Sequence, residues 1–341
     1  KIFSLGGLNE NGKNMYAVEI EDQIFILDTG LKYPENELMG IDVVIPDWEY
    51  LREHKDKIVG VFLTHGHADS IGALPYFLMD FNVPVFGSEM TIALAKLAVK
   101  SHKEVKKFND FHVVDASTAI DFNDVTVSFF QTTHTIPETL GVVLETRAGN
   151  IVYTGDFKFD QTAKKGYQTD LARLAEIGSQ GVLALLSDSA GAGITGASAR
   201  EQDIGDYIKE TFKYQNGRII VASVASNIMR VQQIINAAVA VGRKIVLSGK
   251  DIEQIIDTAM SLGKLHLPDD LFISRKEAEK LEPNQVVILE TGKMGEPIKS
   301  LQQIANGDNP NLQLTDTDLV FVTTTPSYAQ ETEVQKTKRS E

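Results

Sequence analysis

Apolar residues along the first 190 positions fall into two rhythms. Short runs rich in Val, Ile and Phe predict strands at Lys1–Leu8, Asn14–Thr29, Val59–His65, Val83–Gly87, Phe111–Asp115, Ala119–Thr132, Leu140–Arg147 and Asn150–Gly155. Between them, Asp47–Lys57, Ile71–Phe81 and Met90–Lys103 carry apolar residues at helical spacing. Strands outnumber helices, which predicts two sheets flanked by helices.

After Ser198 the rhythm becomes strictly alternating. Helices over Arg200–Tyr214, Ile228–Val241 and Ile252–Leu262 lead to strands over Arg218–Ser223, Lys244–Ser248 and Asp270–Ile273, with further strands at Val286–Glu290 and Leu319–Thr324. Continuous apolar strands separated by helices point to a parallel sheet covered on both faces. The Gly- and Ala-rich stretch Ala190–Ala199 is the best linker, and residues 327–341 read as a polar tail. No internal repeat or coiled coil is visible.

A chain of 341 residues holds two domains with sizeable cores. Hydrophobic content of 43% and charged content of 23% are ordinary for a globular protein. No apolar run approaches the ~20 residues that span a bilayer, and no charged-then-apolar signal opens the chain. A strand begins at Lys1, which suggests that the native start is trimmed. The absence of cysteine excludes disulfides and thiolate ligands and suits a cytoplasmic location. The net charge of −14 opposes promiscuous nucleic-acid binding, because phosphate backbones are drawn to positive surfaces. Basic groups that could still cluster are Lys158, Lys164, Lys165, Arg218, Arg230, Arg243 and Lys244, though each also suits ordinary solvated surface.

Chemistry concentrates at Thr64-His65-Gly66-His67-Ala68-Asp69-Ser70. Two imidazoles one residue apart, then a carboxylate two further on, converge on a metal only from a tight turn. That turn follows the predicted strand, at an open sheet rim. In the pattern His-x-His-x-Asp-His the last histidine serves a second metal, and Ser70 stands in its place. A lone histidine at a strand end is ordinarily a satisfied core or surface residue. Here two more strand ends supply His134 and Asp156, completing a nitrogen and oxygen set suited to zinc or manganese, with magnesium a third option. The segment Gly7–Asn14 matches a P-loop except at its last position. A true P-loop opens a helix, and here a strand-like run follows, so the glycines are expected to shape a hairpin turn instead.

At these residues the chain resembles the metallo-β-lactamase superfamily, and within it the β-CASP ribonucleases of the ribonuclease J type. The resemblance runs through Thr64–Ser70, Ser128–Pro137 (SFFQTTHTIP), Gly155–Asp160 (GDFKFD), Ala175–Gly178, Leu185–Ser189 (LLSDS), Ala225–Asn227 and Thr291–Pro297 (TGKMGEP), in the family's order. Ser70 makes it similar to the second, degenerate paralogue of low-GC Gram-positive bacteria. The resemblance implies an α/β architecture: a metallo-β-lactamase αββα sandwich over residues 1–195, lacking late strands, then a β-CASP domain over 196–326. The chain would end before its return to the lactamase domain.

For the site, the resemblance implies that His65, His67 and His134 hold one metal, with Asp156 bridging. A second metal would use Asp69, Asp156, the position of Ser70 and a late histidine absent here. Asp69 would also orient the attacking water. Asp188 matches the acid that protonates the leaving oxygen, but its later Ser-Gly-His and His-Gly-Glu companions do not occur. Met229 stands where active paralogues carry a histidine, and simple packing explains it as well. RNA contacts are implied at Ser223, Ser226, Asn227 and Arg230.

The expected function is a weak metal-dependent ribonuclease, exonuclease or endonuclease, in RNA processing and decay. Its partners would be RNA and either an active ribonuclease J paralogue or a second copy of itself, with no membrane or DNA. Two alternatives stand beside it: a non-catalytic subunit of such a complex, and a single-metal hydrolase of a thioester or lactam.

Overall fold

In the computed structural model, described at residues 1–34, 40–160, 162–193, 195–196, 200–249, 251–291, 297–309 and 312–323, the chain divides into two compact units, Lys1–Ser198 and Ala199–Glu341. The first unit opens with strands β1 (Ile2–Gly6), β2 (Met15–Ile20) and β3 (Gln23–Leu27), then α1 (Glu49–Glu53), β4 (Ile58–Phe62), α2 (Ala68–Ile71), α3 (Leu74–Asp80), β5 (Val85–Gly87), α4 (Glu89–Lys100) and β6 (Phe111–Val113). It continues with β7 (Ala119–Phe122), β8 (Val125–Gln131), β9 (Leu140–Thr146), β10 (Gly149–Tyr153), α5 (Leu171–Ser179) and β11 (Val182–Leu186). Two sheets result, ordered β1-β2-β3-β4-β5-β6 and β11-β10-β9-β8-β7.

The sheets face each other across one apolar core. Phe25, Leu27, Phe62 and Phe86 from the first meet Val127, Phe129, Leu140, Val142, Leu144, Ile151 and Tyr153 from the second. Alternate residues on β8, β9 and β10 turn the other way, where Phe130, Val143 and Val152 pack under Ile177 of α5. Direction matters for function. β3 and β4 are parallel, as are β10 and β11, and β8 runs with β10 because each is antiparallel to β9. The segments leaving β4, β8 and β10 carry the predicted ligands.

Two predicted strands are each a hairpin. Asn14–Thr29 divides into β2 and β3 at Glu21, and Ala119–Thr132 divides into β7 and β8 at Asn123, both residues in the left-handed region. Apolar alternation continues through both turns and conceals them. The P-loop look-alike leads into β2, a strand, so it opens no helix. The predicted helix over Asp47–Lys57 contracts to α1 and a short 3-10 turn at Lys55–Lys57.

The second unit holds α6 (Glu201–Tyr214), β12 (Ile219–Ala222), α7 (Ile228–Ala240), β13 (Lys244–Ser248), α8 (Ile252–Ser261), α9 (Arg275–Ala278), β14 (Val286–Glu290), α10 (Pro297–Ala305) and β15 (Leu319–Val322). Its sheet is parallel throughout, in the order β13-β14-β12-β15. β12 and β14 are buried along their whole length, which is why both read as unbroken apolar runs. Asp270–Ile273 is no strand; only Phe272 bridges to Ile245, after a turn at Pro268. The polar tail, 327–341, and parts of Ala190–Ala199 and Thr291–Pro297 lie outside the described residues. Among the described residues no helix is long and apolar enough to cross a membrane.

Candidate metal centre

Each candidate ligand leaves a strand's C-terminal end. β4 runs through Leu63 and Thr64 into His65; β8 leads through Thr132 and Thr133 to His134; β10 leads through Thr154 and Gly155 to Asp156. The backbone of Thr133 pairs with that of Lys158, which ties the His134 and Asp156 segments together. His67, Asp69 and Ser70 lie at or in the short helix α2. Gly30 lets that turn approach β3: a Cβ there would sit 1.5 Å from the Asp69 carbonyl oxygen.

The imidazoles of His65, His67 and His134 stand with ring centres 4.7–5.0 Å apart. They offer ligand atoms within 4.8 Å of one another, and His65, Asp69 and Asp156 form a second such group. His65 Nε2 lies 3.7 Å from Asp69 and 3.9 Å from Asp156. His65 Nε2, His134 Nε2 and Asp69 Oδ1 are buried yet have no hydrogen-bond partner. Buried polar atoms are ordinarily satisfied, so an orphaned cluster of this kind fits a divalent cation.

The protonation preferences point the same way. Burial lowers the pKa of His67 to about 4 and those of His65 and His134 well below the usual imidazole value. The rings are therefore neutral and carry lone pairs. Burial raises Asp69 to about 6, helped by Asp188, and raises Asp156 well above its usual range, helped by Asp69, Asp188 and Asp28. Without a cation, the acids hold protons that a cation would displace. Cation affinity should therefore rise as pH climbs through about 6, with protons released on binding. Titration calorimetry in buffers of different ionisation enthalpy reads both effects; affinity falling over that interval would contradict the ligand set.

Behind the histidines lies a support that the sequence reading missed. Asp28, just after β3, is fully buried and accepts from the Thr64 N–H at 2.8 Å, the Thr64 hydroxyl at 2.8 Å and the Tyr153 hydroxyl at 2.9 Å. Burial still pushes its pKa up to about 7. Because Thr64 gives its only hydroxyl proton to Asp28, it accepts from His65 Nδ1 at 2.9 Å, leaving Nε2 bare toward the cluster. His67 Nε2 lies 2.8 Å from the Thr135 hydroxyl. The signal for Asp28 was a buried-strand run ending in a carboxylate.

Asp188 joins this group: its charge raises both Asp69 and Asp156, and its N–H donates to the Thr154 hydroxyl at 3.1 Å. Ser70 is wholly buried and its Oγ has no hydrogen-bond partner. Ser223, Ser226, Asn227 and Arg230 belong to the second unit. Asn227 caps α7 by accepting from the Arg230 N–H, and Ser223 is buried. Arg230 is 5% exposed, and its guanidinium reaches the buried Glu201 at 3.3 Å and Gln233 at 2.9 Å, a contact between α6 and α7.

The profile of the metallo-β-lactamase superfamily matches residues 8–179. The chain belongs to the metallo-β-lactamase superfamily. The superfamily segment is followed by a match to the ribonuclease J β-CASP domain over residues 216–338. The chain is 56% identical over 337 residues to "Ribonuclease J 2" of Streptococcus pyogenes serotype M3, covering 98% of this chain and 61% of that protein. It is 42% identical over 337 residues to "Ribonuclease J 2" of Staphylococcus aureus strain NCTC 8325, covering 99% of this chain and 60% of that protein. It therefore spans about three-fifths of the length of these curated relatives. A crystal structure of a protein of unknown function from Enterococcus faecalis V583 shares the fold, with a TM-score of 0.65 at 12% identity over 99% of this chain and 91% of that one.

Proposed function

We propose that the protein is a metal-dependent ribonuclease of the ribonuclease J type, hydrolysing RNA phosphodiesters in the cytoplasm. The observation that carries this reading is the convergence of His65, His67, His134, Asp69 and Asp156 at the strand ends, where His65 Nε2, His134 Nε2 and Asp69 Oδ1 are buried with no hydrogen-bond partner. The superfamily's metal-ligand motif and the ribonuclease J β-CASP match support it. We assign residues 1–195 to the lactamase-type domain and 196–326 to the β-CASP domain.

His65, His67 and His134, with Asp156, would hold zinc, manganese or magnesium. Such a cation supplies Lewis acidity toward a phosphate oxygen and acidifies a water. Asp69, whose Oδ1 is buried and without a hydrogen-bond partner, would orient the attacking water and serve as its base. We assign Asp188, beside both acids, to the leaving-oxygen side of the reaction, the role that the matching β-CASP motif implies. Asp28 and Thr64 fix the tautomer of His65 throughout. A thioester or lactam hydrolase lacks support from the second unit, whose parallel sheet a small substrate does not need.

Cleavage of a 5′-monophosphorylated RNA in manganese, by the full-length protein and its His67→Ala variant, tests the reading. Activity lost in the variant is expected. No activity in either, or equal activity in both, would leave a non-catalytic subunit that binds RNA and stabilises an active paralogue or a second copy. Ser70 favours that second reading, because a hydroxyl is a poorer ligand for a borderline cation than an imidazole. Ser70→His should raise the bound metal by a second equivalent, measured by elemental analysis of dialysed protein; unchanged stoichiometry would assign the shortfall to other ligands.

A further inference from the structure

Four of the basic residues that the sequence offered for RNA are engaged inside the second unit. Arg218 pairs with Asp318, Arg230 with Glu201 and Lys244 with Asp270, while Arg243 donates to the carbonyls of Gly217, Gln215 and Val286. A dense run of exposed positive charge lies elsewhere, over residues 96–107. Lys96, Lys100, Lys103, Lys106 and Lys107 face a single Glu104 in this interval, within a chain of net charge −14. All five lysines are exposed. Among the described residues none of the five has an ion-pair partner.

Their spacing is helical. Lys96 and Lys100 are one turn apart on α4, and the chain keeps turning afterwards through His102 N–H to Val99, Val105 N–H to His102 and Phe108 N–H to Val105. The stripe therefore continues to Lys103, Lys106 and Lys107, while Leu94, Ala95, Val99 and Val105 face the core. Phe111 holds Lys96 by a cation–π contact at 5.5 Å, and Phe108 stacks edge-on to Phe111 at 5.1 Å. This packing fixes one end of the stripe.

The opposite part of α4 belongs to the metal centre. A Cβ on Gly66, between His65 and His67, would meet Leu94 Cδ1 at 2.5 Å, and the Met90 N–H donates to Glu138 on the segment after His134 at 3.2 Å. One rigid helix of 12 residues thus joins the ligand turns to the lysine stripe, a span of about 18 Å. Helix-dipole stabilisation accounts for Lys100 in the last turn, but not for Lys103, Lys106 and Lys107 beyond it.

We propose that the Lys96–Lys107 stripe is an electrostatic docking track for single-stranded RNA outside the catalytic cluster. The proposal rests on the ribonuclease reading above for its choice of polyanion. Lysine ammonium groups meet phosphates as point charges, so the track fixes position without reading sequence.

The test is RNA binding across a salt series, followed by fluorescence anisotropy with a labelled single-stranded oligoribonucleotide and full-length protein. The wild type is compared with a variant combining Lys100→Gln, Lys103→Gln, Lys106→Gln and Lys107→Gln. A control combines Lys55→Gln, Lys209→Gln, Lys276→Gln and Lys280→Gln, exposed positions outside the stripe that change net charge equally. Each lost phosphate contact flattens the log-affinity against log-salt slope by about 0.7, so the stripe variant should flatten by about 2 to 3 and the control hardly at all. An unchanged slope in the stripe variant, or equal flattening in both, overturns the proposal while the ribonuclease reading stands. A wild type that binds no RNA at any salt overturns both. If the stripe variant keeps its RNA slope but no longer binds polyglutamate that the wild type binds, the stripe serves an acidic protein instead.

Discussion

Replacing Asp28 with alanine is expected to loosen the first unit and its metal together. The substitution leaves the Thr64 N–H and the Tyr153 hydroxyl buried with no acceptor and frees the Thr64 hydroxyl to turn away from His65. Each stranded donor costs about 1–3 kcal/mol, partly offset because a desolvated carboxyl is also removed, so a net loss of about 3 kcal/mol is expected. In a unit of this size that lowers the melting temperature by roughly 6–12 °C. Metal affinity should fall by about 10- to 100-fold, the usual effect of removing a group that orients a ligand. Asp28→Asn, which keeps one acceptor, should lie between. A variant that melts and binds metal like the wild type would show that Asp28 neither supports the fold nor orients His65.

The difference between Asp28 and the histidines explains what could be read from the chain. His65, His67 and Asp69 declare themselves because their geometry is local: a turn that brings two imidazoles together has a fixed spacing. His134 and Asp156 are legible as strand ends, given that first motif. Asp28 shows only as a carboxylate ending a buried strand, because its partners lie 36 and 125 residues away and no short-range pattern announces them. The basic residues fail for a related reason. Spacing says that Arg230 and Arg243 are cations, but only folding reveals that each is buried and engaged. The lysine stripe was readable in composition, and gained meaning once α4 placed it on the same helix as the Gly66 contact. Hairpins were misjudged where alternation ran through the turn, at Glu21 and Asn123. α5 and β11 were missed as elements; β11 exposes Val182, Leu183 and Leu185, so its pattern does not alternate between a buried and an open face.

The second large effect is expected at His134. Its Nε2 is buried without a hydrogen-bond partner, so the ring gains little from the surrounding protein by that atom. His134→Ala should therefore leave the metal-free protein within about 1 kcal/mol of wild-type stability, since a half-buried ring with few polar ties is a modest loss. Metal binding should respond very differently. One of three converging imidazoles disappears, and the loss should exceed the 10- to 100-fold typical of a merely supporting residue. That separation between an almost unchanged fold and a crippled metal affinity distinguishes a ligand from a packing residue. The most direct measurement is calorimetric titration of the metal-free protein with zinc or manganese, wild type beside His134→Ala. A tight site in the wild type that is lost or weakened beyond 100-fold in the variant is the predicted result; equal affinity and stoichiometry in the two proteins would contradict the metal centre outright.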